Sequence, residues 1–265
     1  MTIRPVLLCS LAAVLAVVTS GTASAGVCDL STNGASCGPS LFTNFAIFEE
    51  ISPQPTGTGY VDPFLRLQAN GHEEGYNTSA RPFQDDMDQK NPVNFTHDLH
   101  LSAVPIKTID GVQYRQFFLD INESSNHPYL SLDELRIYLS PTGNLSSYDA
   151  SNQKLNGLTS IYDLDAGGDN YVKLNYSLNS GSGEGDMVAY IPNSLFTGPS
   201  TQYLYLFSRF GDNYQSESDA GFEEWWVGPA GGTPTQQAAV PEPATLLLLG
   251  TGLAMAARRR RKHAR

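Results

Sequence analysis

Carboxylates are the side chains whose spacing in this sequence most invites chemistry. Asp163-Leu164-Asp165-Ala166-Gly167-Gly168-Asp169 sets acids at the first, third and seventh positions of a glycine-containing loop, a pattern that suits calcium. An EF-hand would need a bidentate glutamate at its twelfth position, which here is Leu174; the competing reading is a turn stabilised by Asp side chains and glycine. A second set, Asp120, Asn122 and Glu123 with Asp133 and Glu134, falls at the ends of adjacent expected strands. Hard oxygen ligands could converge there on calcium; the competing reading is solvated loop acids. Trp225-Trp226, beside Glu223-Glu224, offers a stacking surface for sugar rings. Neighbours on a strand face opposite ways, so one indole is expected in the core, and the sequence leaves open which.

Patterns for catalysis are poorer. Gly181-Ser182-Gly183-Glu184-Gly185 fails the Gly-x-Ser-x-Gly spacing around Ser182 and reads as a hairpin loop. His97-Asp98-Leu99-His100 is not the helical His-Glu-x-x-His of zinc proteases, and residues three apart on a strand point to opposite faces. Acid pairs for glycoside hydrolysis are available in number, but abundance alone is not a pattern. The expectation is a protein that is not an enzyme, with a secreted glycosidase as the remaining catalytic class.

These side chains need a scaffold, and the composition describes one. Of 265 residues only 16% are charged, while the chain holds 24 Gly, 16 Pro, 13 Tyr and 12 Phe, the balance of a turn-rich, secreted β protein. Seven of the 16 bases (Arg4, Arg258, Arg259, Arg260, Arg261, Lys262 and Arg265) lie in terminal segments. The body therefore has nine bases against 26 acids, a net charge of −17. Such a surface repels phosphate backbones and excludes a nucleic-acid partner.

Short apolar or alternating runs separated by Gly, Pro, Asn and Asp recur along the body. Strands are expected at 42–49, 60–68, 93–102, 112–122, 134–140, 159–164, 170–178, 186–191, 202–210 and 222–227. Asp110-Gly111 is the strongest hairpin signal. Beyond it Phe117, Leu119 and Ile121 alternate with Phe118, Asp120 and Asn122, one face apolar and the other becoming acidic. About ten strands and no long amphipathic helix imply an all-β fold, an antiparallel β-sandwich of jelly-roll type, monomeric, over residues 26–227.

The termini carry addresses. Residues 1–25 combine Arg4, an apolar run from Val6 to Val18 and Ala23-Ser24-Ala25 before Gly26, the form of a signal peptide cleaved by signal peptidase. Cys9 lies inside the removed segment, and Cys28 and Cys37 are expected to pair in an oxidising compartment; a metal reading has only half a site. Residues 228–239 read as a flexible linker. Residues 240–265 follow with Val240-Pro241-Glu242-Pro243, an apolar run from Ala244 to Ala257, and Arg258-Arg259-Arg260-Arg261-Lys262.

That order resembles the PEP-CTERM sorting signal of Gram-negative bacteria. The resemblance implies recognition near Pro241-Glu242-Pro243 by exosortase, a membrane protease-transpeptidase, with the short C-terminal transmembrane helix as a transient inner-membrane stop. The five bases hold its end in the cytoplasm. Asp62-Pro63-Phe64-Leu65-Arg66, Gly75-Tyr76-Asn77-Thr78, Leu119-Asp120-Ile121-Asn122, Leu132-Asp133-Glu134-Leu135 and Gly221-Phe222-Glu223-Glu224-Trp225 resemble an uncharacterised β body of PEP-CTERM proteins, over most of 57–227, which implies shape and no chemistry. The implied function is an exported structural or interaction protein of the cell surface or its exopolysaccharide matrix. The alternative is a calcium-assisted carbohydrate-binding module.

Overall fold

The computed structural model describes residues 26–42, 44–51, 61–85, 87–180, 185–213, 217–219 and 221–228. The signal peptide, the linker beyond Gly228, the sorting signal and Gly181–Glu184 lie outside the described residues. In chain order the strands are β1 (Val27–Asp29), β2 (Ser36–Cys37), β3 (Ile47–Glu50), β4 (Pro63–Leu67), β5 (Glu73–Tyr76), β6 (Leu99–His100), β7 (Ile106–Ile109) and β8 (Val112–Asp120). They continue with β9 (Tyr129–Ser140), β10 (Tyr148–Asp149), β11 (Lys154–Leu155), β12 (Tyr162–Asp163), β13 (Tyr171–Asn175), β14 (Met187–Pro192), β15 (Tyr203–Phe210) and β16 (Glu223–Trp226). Helix is confined, among the described residues, to three short 3-10 turns. The all-β expectation holds.

One large sheet runs β1-β13-β9-β15-β5, with β12 also on β9 and β6 also on β15; a second runs β2-β3-β14-β8-β16-β4, with β7 also on β8; β10 and β11 form a separate two-stranded ribbon. Inward side chains of both large sheets build one core: Leu130, Leu132, Ile137, Leu204 and Leu206 from the first, Phe48, Phe117, Leu119, Ala189 and Trp225 from the second. Period-two alternation delivers these residues to one face of each strand. Trp225 is fully buried and donates its indole N–H across the core to Ser208 Oγ at 3.0 Å. The outer faces are also covered. Phe118 stacks on Trp226 at 5.1 Å in a second cluster with Ile47, Tyr114, Val188 and Tyr190, so the face of β8 expected to meet solvent is buried in its middle.

Several departures from the expected elements have local causes. The run 93–102 forms only β6, because Thr96 uses its hydroxyl rather than a ladder bond to meet Arg66 N at 3.1 Å and Pro92 precedes it. Of 159–164 only β12 pairs. β5 escaped notice because Glu73-Glu74-Gly75-Tyr76 has little strand propensity; Gly75 fits where a Cβ would lie 2.7 Å from Leu67 Cδ2. One pair is parallel, β1 on β13, which antiparallel pairing alone did not anticipate. The chain leaves β1 for the opposite sheet, so no hairpin constrains its direction. In β9 the partner of β15 steps from Glu134 to Leu132, leaving Asp133 as the extra residue of a bulge. That bulge is why Leu132 and Leu135, three apart, both face the core.

Cys28 on β1 and Cys37 on β2 are disulfide-bonded, Cα–Cα 5.8 Å, and thereby tie the edge of one sheet to the edge of the other. Closing so short a loop lowers the entropy of the unfolded chain by the equivalent of about 2–3 kcal/mol. The Cys28→Ser/Cys37→Ser double variant should lose that much in urea unfolding; an unchanged midpoint would show the tie to be idle.

Candidate functional site

At one end of the sandwich three connections meet: 68–72 between β4 and β5, 121–128 between β8 and β9, and 211–222 between β15 and β16. Gly71 and Ser218 exchange backbone hydrogen bonds of 2.8 Å, and Gly221 N donates to Asn122 O at 2.7 Å. Gly211, at φ +92°, packs where a Cβ would stand 2.3 Å from Gly71 O, so this approach requires glycine. Beneath these loops lie Glu73, Glu123 and Glu223, all buried.

Each glutamate is anchored by a backbone N–H. Ala69 N donates to Glu73 Oε2 at 2.7 Å, Asp219 N to Glu123 Oε2 at 3.1 Å, and Asn122 N to Glu223 Oε1 at 3.4 Å. The second oxygen of each, Glu73 Oε1, Glu123 Oε1 and Glu223 Oε2, accepts no hydrogen bond. Glu73 and Glu223 are within hydrogen-bonding reach of each other. Burial raises all three acids, Glu123 to about 8 and Glu223 well above the carboxylate range; the contact between Glu73 and Glu223 pushes Glu223 further up and opposes the rise of Glu73. At the rim Asp219 accepts from Ser124 N and Oγ and lies 2.9 Å from His127 Nδ1; burial acts to raise its carboxyl, and hydrogen bonds with Glu123, His127 and Ser124 together outweigh it and hold it low.

Nearby acids have structural employment. Asp186 Oδ2 accepts Ile121 N at 2.8 Å, and burial pushes its carboxyl well up. Asp120 is buried at the end of β8. Asn122 serves the backbone bonds to Gly221 and Glu223 just given. Asp133, the bulged residue, accepts from Ser131 Oγ at 2.9 Å, Asp212 N at 2.7 Å and Asn213 Nδ2 at 2.9 Å, and so clips the loop after β15. Both its oxygens accept hydrogen bonds from the protein.

The loop 163–169 already faces a cation of the chain. Arg136 on β9 is fully buried, with Glu134 in contact, Asp163 at 3.4 Å, Asp165 at 3.6 Å and Tyr148 Oη at 3.2 Å. Burial opposes the guanidinium charge and the surrounding carboxylates outweigh it. Asp165 also accepts Asn170 N at 2.9 Å, and Asp163 accepts Asp165 N at 3.1 Å, the turn bonds of the competing reading. Asp169 stands exposed, away from this cluster. A calcium ion at Asp163 and Asp165 would be repelled by Arg136, so the expected ligand set of Asp163, Asp165 and Asp169 does not assemble.

Trp225 and Trp226 do point opposite ways, but Trp226 is only 6% exposed and covered by Phe118. Neither indole presents the open face expected of a sugar platform, because the outer face of the second sheet carries its own apolar cluster. Sequence reasoning missed Glu73, Glu223 and Arg136. For Glu223 a signal existed: it sits two residues before Trp225, on the same inward face.

Residues 239–262 match the PEP-CTERM protein-sorting motif. The match spans Pro241-Glu242-Pro243 and the Arg258–Lys262 cluster, as the residue order led us to expect, although these lie outside the described residues. Neither a curated protein nor a solved structure matches the chain.

Proposed function

We propose that this chain is a non-catalytic protein of the bacterial envelope, exported through a signal peptide cleaved before Gly26 and sorted by exosortase at Pro241-Glu242-Pro243. The observation that carries the reading is the sorting motif at 239–262. The body supports it as cargo. Strands β4, β16, β8 and β14 lie side by side in one sheet and β5, β15, β9 and β13 in the other. The chain crosses between sheets from β4 to β5, β8 to β9, β13 to β14 and β15 to β16, the arrangement of a jelly roll. A disulfide joining the sheet edges suits an oxidising compartment outside the inner membrane. The net charge of −17 over nine bases and 26 acids favours solubility once the body leaves its anchor. Burial of both indoles weighs against sugar stacking, so we place the body among structural or interaction proteins of the surface or matrix.

The test is processing in a host with and without its exosortase. The full chain should mature and leave the inner membrane in the first and persist there as precursor in the second. Equal maturation in both would refute the routing.

A further inference from the structure

We infer that the amino group of Gly26, once signal peptidase has exposed it, is received by a built site: the side-chain oxygen of Asn170 takes the new N-terminus and locks β1 onto the first sheet. This rests on the cleavage before Gly26 that the export route proposes. Gly26 N donates to Asn170 Oδ1 at 2.8 Å, and Tyr171 N returns a bond to Gly26 O at 3.1 Å. One residue later β1 begins, with Val27 opposite Tyr171.

Asn170 is only 5% exposed and is itself held from two sides. Its Nδ2 donates to Leu164 O at 2.7 Å and its backbone N–H to Asp165 Oδ1 at 2.9 Å. A carbonyl oxygen can only accept, so Leu164 keeps the amide nitrogen on its own side and turns the amide oxygen toward Gly26. The acceptor is thus oriented independently of the residue it receives. The fit extends to residue type. A Cβ at position 26 would lie 2.9 Å from Asn170 Oδ1 and 3.1 Å from Phe42 Cε1. Phe42 belongs to the core and Asn170 is tied at two points, so neither has room to yield.

Cleavage changes the donor rather than the geometry. In the precursor Gly26 supplies one neutral N–H and is still joined to Ala25. In the mature chain the same nitrogen is an ammonium, largely protonated at about pH 7, and its bond to Asn170 becomes charge-assisted, roughly twice as strong. The turn that presents Asn170 carries Asp163, Asp165 and Asp169, which favours a positive charge there. β1 has use for such an anchor. It is three residues long, it pairs with β13, and its Cys28 carries the disulfide to the opposite sheet. Removal of the signal peptide therefore firms the sheet edge on which the disulfide closes.

The full-length gene is expressed in an exporting host, and the mature protein is purified in detergent, sequenced from its N-terminus and labelled near pH 7 with the N-hydroxysuccinimide ester of acetate, which reacts only with the unprotonated amine. Mass spectrometry of the first peptide gives the rate at residue 26 in native buffer and in guanidinium chloride. The native rate should be about tenfold slower, since the bond to Asn170 favours the ammonium and occupies the nitrogen. Asn170→Ala should abolish the difference. Gly26→Ala, which leaves Ala23-Ser24-Ala25 intact for the peptidase, should abolish it too, and Asp149→Asn at an exposed turn should keep it. A first residue other than Gly26 would overturn the cleavage point and this inference with it. A chain that starts at Gly26 but is labelled equally fast folded and unfolded would overturn the inference alone and leave the export route standing. Protection that persists in both alanine variants would remove Asn170 as the receiving group and overturn it as well. Should one variant fail to fold, the other and the wild-type rates decide.

Discussion

Replacing Pro241-Glu242-Pro243 by three alanines is expected to leave an uncleaved precursor in the inner membrane, with mature protein falling below detection. The physics of the tail argues for a segment held for a protease rather than one built for permanent residence. As a helix, the fourteen residues Ala244–Ala257 would extend roughly 21 Å, against a hydrocarbon core of about 30 Å. Such a span is tolerated by thinning the bilayer or by snorkelling arginine stems, at a cost that accumulates with each ångström. On the proposed routing Arg258, Arg259, Arg260, Arg261 and Lys262 would stop transfer and hold the cytoplasmic end. On this proposed routing Pro241-Glu242-Pro243 would face the outer side of the membrane. Prolines on both sides of Glu242 remove two backbone donors and disfavour helix, which on this proposal suits a protease recognition site. Deleting 241–265 should have the opposite outcome, an unanchored soluble body. Fractionation with a tag on the body reads both. Processing of the triple-alanine variant at the wild-type rate would show that cleavage does not depend on the motif and would turn the tail into a simple anchor.

What was legible follows from how far along the chain each interaction reaches. Strands β8, β9, β14 and β15 are legible because alternation is a local signal and one buried face enforces it. The sorting motif is legible because its Pro-Glu-Pro, apolar run and basic cluster are each contiguous in the chain. The acid sites were not. Asp163 and Asp165 spell a calcium loop in isolation, yet Arg136, 27 positions earlier, reaches them through the pairing of β12 with β9. Asp133 reads as a ligand until the bulge that turns it toward Asp212 is known. Glu73 and Glu223 lie 150 positions apart and meet because the two sheets face each other. Trp226 illustrates the same limit. Alternation places it opposite Trp225, but only the pairing Trp226↔Phe118 shows that the outer face is occupied.

Arg136→Met is expected to be the most damaging single change in the body. The guanidinium is fully buried and is the positive centre for Glu134, Asp163 and Asp165. Removing one side of a buried ion network leaves the other uncompensated, which costs about 3–5 kcal/mol against a total of roughly 5–15 kcal/mol. For a domain of this size that corresponds to a Tm lower by about 6–20 °C. Methionine fills similar volume, so a cavity does not account for the loss. Adding Asp163→Asn and Asp165→Asn should then restore part of it, a recovery that mere loss of packing would not give. The pH dependence supplies a separate sign. Asp165 is already raised to about 6, by burial first and by the charge of Asp163 after it. A carboxyl whose folded pKa exceeds its unfolded value contributes stability that is present below the unfolded value and lost as pH rises through the folded one. Without Arg136, which lowers it, the same carboxyl should move higher. The deficit of the variant should therefore be largest near pH 7 and shrink toward pH 4, where Asp165 is protonated. Urea unfolding of wild type and variant across that range measures it. A deficit independent of pH would show that Arg136 holds this wall together by packing rather than by charge.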